Sequence, residues 1–307
     1  MEITRDLRKK LTLGALKGGM EIACKGNTST VESMRQVAIG LTRMVIPLRM
    51  RLARNMKLAG VYSRGLVDDH FERAVDQLIM LAHIFRAGFS ASGCPERFAF
   101  DASINLLDQA YAKGKGVINI APHICGYPVY AALISRYLPS SIYLRHNKNS
   151  RKMWINNAIG SAGGGELVYP PEDASKAQKL QVALDVLRQG KLLFITPDTP
   201  RKSYQGIPVT IFDKTVYFPT GVFVMSMRTG APVVPVFWHW QDGVYHIRYD
   251  QPMELPRKGR IREQTKAATQ KWADSVDSFL HDYPEMWWNW LDKRWTRIMR
   301  NGQVKET

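Results

Sequence analysis

The feature that most constrains the fold of this chain is an alternation of two patterns between residues 116 and 249. Short apolar runs, each typical of a buried strand, are separated by stretches in which apolar residues recur at helical spacing. Strands that alternate with helices of this length predict a largely parallel sheet covered on both faces. The predicted strands are Gly116–Ala121, Ser141–Leu144, Leu167–Tyr169, Leu192–Thr196, Pro208–Phe212, Pro232–Trp238 and Val244–Tyr249. The helices expected between them are Pro128–Tyr137, Arg151–Ile159, Ala174–Gln189 and Gly221–Thr229.

Amphipathic helices flank this alternation. In Val37–Ala59 the apolar residues recur at helical spacing, and the basic residues fall largely on the other side. Pro47 is expected to kink this helix or to begin a second one. Leu66–Gly88 and Glu263–Leu280 are predicted as further helices. The fold class is therefore α/β, a mixed and largely parallel central sheet flanked by helices, with a helical N-terminal extension.

The domain organisation follows from the absence of any linker rich in Pro, Gly or Ser. Residues 1–90 are predicted to form a basic amphipathic helical region and residues 91–307 an α/β domain, together one structural unit. The chain closes with Tyr283–Trp295, a predicted Trp-rich helix that holds four of the eight Trp beside Lys and Arg. These indoles suit either a membrane interface or a helix that caps the core.

The charge balance predicts an anionic partner, because 43 Lys and Arg face 27 acidic residues, a net charge of +16. Residues 1–60 hold half of the excess, with 12 basic and four acidic residues interleaved among Leu, Met, Val and Ile. This pattern favours an anionic membrane surface over nucleic acid, for which no binding motif is present. A cationic helix packed on the chain's own core is the alternative. Since no run approaches the roughly 20 apolar residues of a spanning helix, we expect peripheral attachment.

Two polar residues stand after predicted strands, at the sheet edge where ligands bind in open α/β folds. Gly116–Ala121 leads to His123, and Leu192–Thr196 leads to Asp198. If these strands are neighbours, the imidazole and the carboxylate meet, and the carboxylate fixes the tautomer of the ring. We therefore predict His123 as a general base supported by Asp198. A hydrogen-bonded structural histidine is the alternative reading.

The three cysteines, Cys24, Cys94 and Cys125, are few, odd in number and widely spaced. They predict a reducing compartment, no disulfide framework and no metal site. Cys125 lies two residues after His123 and offers a rival thiolate nucleophile. A small buried cysteine is the more common situation, so we do not expect Cys125 to carry the chemistry.

Two further features indicate substrate binding. Thr220 and Gly221 open a predicted helix, whose N-terminus offers free N–H groups for an oxyanion or a phosphate, with Thr220 as its N-cap. Arg201 and Lys202 lie close to Asp198 in sequence. These two cations either hold a phosphate of a donor or are solvated surface charges.

Several of these segments, taken in order, resemble one family. They are His123 after a strand, Arg145–Asn149 after the next, Thr196–Asp198 after a later one, and then Ile207–Phe212, Phe218–Gly221 and Arg228–Pro235. Together they are similar to the lipid A late acyltransferases of the lysophospholipid acyltransferase superfamily, over about Arg43 to Trp295. The stretch Pro197–Pro235 is the most specific part, since several spacings agree at once.

The resemblance implies an acyltransferase at the cytoplasmic face of the bacterial inner membrane. It would move an acyl group from a thioester, on acyl carrier protein or CoA, to a hydroxyl of a lipid or glycolipid. The departures of this chain from the family pattern extend the expected acceptor to an amine or a related metabolite. The thioester is a co-substrate, and no cofactor is expected. Arg145 and Asn149 join Arg201, Thr220 and Gly221 as the expected substrate-binding residues.

The chain departs from the family pattern at Pro128, which stands five positions after His123 where the family has an acidic residue. An inactive member that only binds lipid or carrier protein is therefore the alternative function. For an active enzyme we expect an acyl groove that opens near His123. Its expected lining is Ile124, Tyr127, Phe218, Phe223 and Met227.

Overall fold

The computed structural model describes residues 28–88, 92–144, 153, 157, 166–170, 173, 175–253, 255 and 260–302. The helices are α1 Thr28–Thr42, α2 Ile46–Leu58, α3 Leu66–Ala87, α4 Ile104–Tyr111, α5 Tyr127–Tyr137, α6 Lys176–Arg188, α7 Gly221–Thr229, α8 Ile261–Asp282 and α9 Lys293–Asn301. The strands are β1 Phe98–Phe100, β2 Val117–Ile120, β3 Ser140–Tyr143, β4 Glu166–Val168, β5 Leu192–Ile195, β6 Ile207–Ile211, β7 Lys214–Phe218, β8 Val233–Gln241 and β9 Val244–Tyr249. The predicted helix Arg151–Ile159 falls almost wholly outside the described residues.

A seven-stranded sheet in the order β1-β9-β8-β2-β5-β3-β4 forms the centre of the fold. Every neighbouring pair is parallel except β8 and β9, which form an antiparallel hairpin. The predicted α/β class, with its largely parallel sheet, is confirmed. β2 lies between β8 and β5, so the strand that leads to His123 is central and fully buried.

The strand predicted at Pro208–Phe212 corresponds to β6, which stands outside the main sheet. It pairs with β7 in a two-stranded antiparallel hairpin. This hairpin was not predicted, because its two turn residues are Phe212 and Asp213 rather than a pair such as Asn-Gly or Asp-Gly. Both have positive φ, 51° and 56°, a conformation usually signalled by Asn or Gly. The Phe212 ring is buried against Trp287 and Trp290, which helps to hold the turn in place.

Helices cover both faces of the sheet, as side chains that alternate along β8 demonstrate. Phe237 packs against Trp272 and Phe279 of α8, whereas its neighbour Trp238 stacks on Tyr130 of α5. α6 and α7 lie with α8 on one face, and α3 and α4 lie with α5 on the other. The short helix α4 and the three-residue strand β1 were not predicted from the sequence.

The predicted amphipathic helix Val37–Ala59 is divided at Pro47, which lies in the first turn of α2. The second half of the pattern packs inwards, because Leu52 and Met56 are fully buried. The first half faces outwards, and Met44 is 75% exposed. Among the helices of the described residues, none combines the length and apolar composition needed to cross a membrane.

The Trp-rich C-terminal segment belongs to the core. Trp287, Trp290 and Trp295 are fully buried, so the membrane-interface interpretation is wrong for these indoles. Two short 3₁₀ turns precede α9, and the first connects to an antiparallel bridge between Trp287 and Ile124. The alternation of Trp with polar residues could not reveal this, since Trp at an interface and Trp in a core have the same local pattern.

Candidate active site

The ends of β2 and β5 bring His123 and Asp198 together. The two strands are parallel neighbours with Ile120 opposite Ile195, so the residue three positions beyond each strand lies at the same sheet edge. His123 Nδ1 forms a short hydrogen bond with Asp198 Oδ1, and the His123 backbone N–H donates to Oδ2 at 2.8 Å. The predicted contact between these two side chains is therefore confirmed.

Asp198 is fully buried and lies in a pocket of hydrogen-bond donors. Trp287 Nε1 donates to its Oδ2 at 2.8 Å, and Asn289 Nδ2 donates to the same oxygen at 2.9 Å. Burial alone would raise the pKa of Asp198. The charge interaction and hydrogen bonds with His123, together with the Trp287 bond, outweigh burial and lower the pKa below its ordinary value. The carboxylate is therefore ionised and acts as an acceptor.

The contact with Asp198 fixes which nitrogen of His123 is available for chemistry. A carboxylate accepts, so Nδ1 carries the proton and Nε2 keeps its lone pair in the neutral ring. Thr196 Oγ1 lies 3.0 Å from Nε2. The His123 side chain is 26% exposed, whereas Asp198 is closed off from solvent. The His123 ring therefore lies between a buried anion and an accessible surface.

The Trp-rich C-terminal segment, which lies more than 85 residues after Asp198 in the sequence, completes the site. The Trp288 N–H donates to the His123 carbonyl at 2.8 Å, and the Cys125 N–H donates to the Met286 carbonyl at 2.7 Å. This pairing sets Trp287 and Asn289 over Asp198. Sequence reasoning missed both residues, since nothing local links them to a strand end.

An apolar cavity opens beside His123, between α5 and the ends of three strands. Its lining includes Thr196 and Tyr127, whose ring packs edge-on against His123. With the open solvent at its entrance included, the empty space there is about 430 Å³. The remaining lining is Pro128, Ala131, Ile142, Tyr143, Leu144, Leu167, Phe194 and Ile195.

The predicted groove lining was largely wrong. Of the five residues expected to line it, only Tyr127 does so. Ile124, Phe218, Phe223 and Met227 are buried in the core. Proximity in sequence to a strand end does not determine on which side of the sheet a side chain lies, and the cavity is on the α5 side.

Comparison with known proteins places this site in a family context. The sequence profile described as bacterial lipid A biosynthesis acyltransferase matches residues 67–297. The chain belongs to that family. The matched range includes His123, Asp198 and the Trp-rich segment up to Arg297. Membership supports an acyltransferase that acts on lipid A-like substrates. A search of curated proteins found no match.

This acyltransferase lacks the acid that the family resemblance implies five residues after its histidine. Pro128 occupies that position, in the first turn of α5, where it lines the apolar cavity. Asp198, from the neighbouring strand, makes the contact with Nδ1 instead. The charge that the histidine requires is therefore supplied from the protein interior.

The other predicted binding residues lie around a second, more polar cavity. Arg201, Thr220 and Gly221 line it together with Tyr204 and Gly206, whereas His123 does not. The Arg201 N–H donates to the Tyr217 carbonyl at 2.8 Å and so attaches this loop to β7. Thr220 holds the N-cap position of α7 but makes no side-chain capping bond, contrary to expectation. Arg145 and Asn149 lie outside the described residues.

Cys125 has no access to a substrate. Its side chain is fully buried, and burial raises the pKa of the thiol well above its ordinary value. Both backbone groups of Cys125, in contrast, are hydrogen-bonded: its N–H donates to the Met286 carbonyl, and its carbonyl accepts from Trp238 Nε1 at 2.6 Å. Cys125 is therefore a core residue that positions the loop after His123.

Proposed function

We propose that this family member transfers an acyl group from a carrier thioester, on acyl carrier protein or CoA, to a hydroxyl or amine of a lipid A-like glycolipid. One observation carries the proposal: a histidine oriented by a buried carboxylate contacts Tyr127 and Thr196, two of the residues that line an apolar cavity. Such a histidine–carboxylate pair activates a weak nucleophile, and an apolar cavity suits a hydrocarbon chain.

In this proposal His123 Nε2 removes the proton of the attacking hydroxyl or amine while the thioester carbonyl is attacked. The ring then becomes an imidazolium, and the ionised Asp198 beside Nδ1 stabilises that charge. The same proton passes to the departing thiolate, which restores the neutral ring. The thioester is the co-substrate, and every step uses side chains that the site contains.

Binding of the acyl donor is divided between the two cavities. The acyl chain occupies the apolar cavity beneath α5, near Tyr127 and Thr196. Arg201 and the N-terminus of α7 at Gly221, which line the polar cavity, bind a phosphate of the donor. Arg145 and Asn149 are proposed to bind substrate on the basis of the family resemblance.

We further propose that the enzyme acts while bound peripherally to an anionic membrane. Six large apolar side chains that are exposed lie between residues 37 and 50, around the break between α1 and α2. They are Val37, Leu41, Met44, Val45, Ile46 and Met50, here called the α1–α2 apolar patch. The exposed Arg43 lies within it, and Arg and Lys beside apolar residues favour an anionic lipid surface.

A transfer assay tests the function. Purified protein is given dodecanoyl-acyl carrier protein or dodecanoyl-CoA with a lipid A precursor, and acylated lipid is measured by mass spectrometry. We expect His123→Ala to lower the rate by about 10²–10⁴-fold, the usual contribution of a general base. His281→Ala, the same change at a half-exposed histidine on α8, is the matched control and should leave the rate unchanged.

Two outcomes would contradict the proposal. Equal rates in His123→Ala and the wild-type protein would remove His123 from the mechanism. Binding of donor or lipid without turnover by the wild-type protein would favour the alternative of an inactive binding protein.

A further inference from the structure

A glutamine on α3 contacts both of the stretches that build the active site. Gln77 is buried, and its Oε1 accepts from the Gly126 N–H at 2.7 Å and from Trp288 Nε1 at 3.3 Å. Gly126 lies at the end of the loop that follows His123, just before α5. Trp288 belongs to the Trp-rich segment, whose residues on either side of it donate to Asp198. One side-chain oxygen therefore joins the loop of the proposed base to the segment that holds its carboxylate.

The same face of α3 holds the Trp-rich segment at a second point. His70 lies seven residues before Gln77, so the two side chains lie on one side of the helix. The His70 ring donates from Nδ1 to the Glu285 carbonyl at 2.7 Å. α3 thus holds the start of the segment through His70 and its middle through Gln77. Of these two side chains, Gln77 is the one that also reaches the loop after His123.

The loop and the segment depend on this attachment because their own pairing is short. In the part of the chain that the structure describes, the pairing consists of the two backbone hydrogen bonds given above and one isolated bridge. Neither stretch belongs to the main sheet, whose ladders would otherwise fix their register. That register sets the positions of Trp287 and Asn289, and through them the surroundings of Asp198.

Gly126 makes the loop sensitive to the loss of Gln77. This glycine is buried in a left-handed conformation, φ 90°, and a Cβ there would lie 3.2 Å from Trp238 Nε1 and 3.3 Å from the Tyr245 ring. The loop is therefore packed closely on that side. An unpaired buried N–H is unfavourable, so without the Gln77 acceptor the loop gains by shifting until the Gly126 N–H finds another partner. Such a shift displaces His123, which stands three residues earlier.

We propose that Gln77 is a positioning residue for the base. It holds the loop after His123 and the Trp-rich segment in the register that keeps Asp198 in contact with Nδ1 of the ring. Gln77 is absent from the lining of both cavities, so it acts through Gly126 and Trp288 rather than on a substrate. This role rests on the proposed function for the chemistry of the histidine, whereas the position of the ring proton can be measured without any turnover.

Gln77→Met tests this role, because it nearly keeps the length of the side chain but removes the acceptor. We expect kcat for transfer to lipid to fall by roughly 10–100-fold, the cost of a slightly misplaced catalytic group, with little change in KM for the donor. The His123 Nδ1–H signal in ¹⁵N–¹H correlation spectra, assigned by its absence from His123→Ala, should weaken in the same variant. Gln77→Glu keeps an accepting oxygen and should retain most of the rate and of the signal.

Gln270→Met is the matched control. Gln270 on α8 also bonds a helix to a backbone, because its Oε1 accepts from the Thr210 N–H and its Nε2 donates to the Thr210 carbonyl, both at 3.0 Å. Loss of these bonds loosens β6, which stands outside the main sheet. The control should keep the wild-type kcat and His123 signal, even where urea denaturation shows an equal loss of stability in the two variants.

Three results would overturn this role: a wild-type kcat and Nδ1–H signal in Gln77→Met, a lower kcat with an unchanged signal, or equal losses in Gln77→Met and Gln77→Glu. If Gln77→Met does not fold, Trp288→Phe removes the Nε1 donor to the same oxygen and keeps an aromatic ring. A smaller loss of kcat and of signal is then expected, and wild-type values of both would reject the role. No transfer by the wild-type protein would defeat the proposed function, and the Nδ1–H signal of the variants would still decide the role of Gln77.

Discussion

Asp198→Asn is the substitution that most directly tests how the site is built. Among the residues that the structure describes, Asp198 Oδ2 accepts from the His123 N–H, Trp287 Nε1 and Asn289 Nδ2, whereas Oδ1 accepts only from His123 Nδ1. An asparagine has one oxygen to offer. If that oxygen replaces Oδ1, the amide N–H₂ faces three donors, and each unsatisfied buried group costs about 1–3 kcal/mol. The side chain should therefore place its oxygen at the Oδ2 position.

The consequence for His123 follows from that orientation. The new N–H₂ group donates towards Nδ1, which must become the acceptor, so the ring proton moves to Nε2. A ring protonated at Nε2 has no lone pair there and cannot act as a base. The analogous change in Ser–His–Asp enzymes reduces kcat by about 10⁴-fold through the wrong tautomer, and we expect a loss of that order. Weaker neutral hydrogen bonds should also lower the free energy of unfolding by about 1–3 kcal/mol.

Two measurements check this reasoning together. The transfer assay gives the rate, and ¹⁵N–¹H correlation spectra of the imidazole identify which nitrogen carries the proton. Asp242→Asn, in the exposed turn between β8 and β9, is the matched control. A variant that keeps the Nδ1 proton, or whose rate falls less than tenfold, would refute the assignment of Asp198 as the group that fixes the tautomer.

Two further predictions concern stability and membrane binding. Burial lowers the pKa of His70 from 6.5 to about 4, so between these values only the unfolded chain binds the proton and stability falls with falling pH. His70→Asn keeps a donor for the Glu285 carbonyl but cannot take up this proton. Between pH 7 and pH 4, its free energy of unfolding, measured by urea denaturation, should therefore fall by about 3 kcal/mol less than that of the wild-type protein. An equal fall in the two proteins would contradict this. Met44→Asp should weaken binding to anionic vesicles at least about tenfold, because it places a charge in the α1–α2 apolar patch. Ile261→Asp, at a similarly exposed position on α8, is the control and should bind like the wild-type protein. Equal binding by Met44→Asp and the wild-type protein would show that the patch does not contact the membrane.

The contact between His123 and Asp198 was predictable because local sequence patterns indicate where buried strands lie and where they end. Each residue lies three positions beyond its strand, His123 after β2 and Asp198 after β5. Parallel pairing of those two strands is enough to bring them together. Trp287 and Asn289 were not predictable, since they reach Asp198 through a bridge to Ile124 from a segment far along the chain. Local patterns contain no information about such a pairing.

The cavity illustrates a second limit of the sequence. The expected lining was chosen from apolar residues near the supposed site, yet Phe218 and Phe223 pack into the core. Pro128 was noted only as a departure from the family pattern, although it forms part of the cavity wall. An apolar side chain in a core and one in a ligand cavity have the same periodicity, so only the packing of α5 over the strand ends distinguishes them.

The contacts also connect the proposed membrane surface to the chemistry. α2 carries Met50 of the α1–α2 apolar patch, and on its buried side Asn55 Nδ2 donates to the Trp290 carbonyl at 2.7 Å. Trp290 belongs to the segment whose residues Trp287 and Asn289 hold Asp198. The helix proposed to touch lipid is thus hydrogen-bonded to the segment that holds Asp198, the proposed catalytic carboxylate. A protein that lies on a membrane through α2 would hold the mouth of its apolar cavity at a fixed height and tilt, which a glycolipid acceptor anchored in the same surface requires.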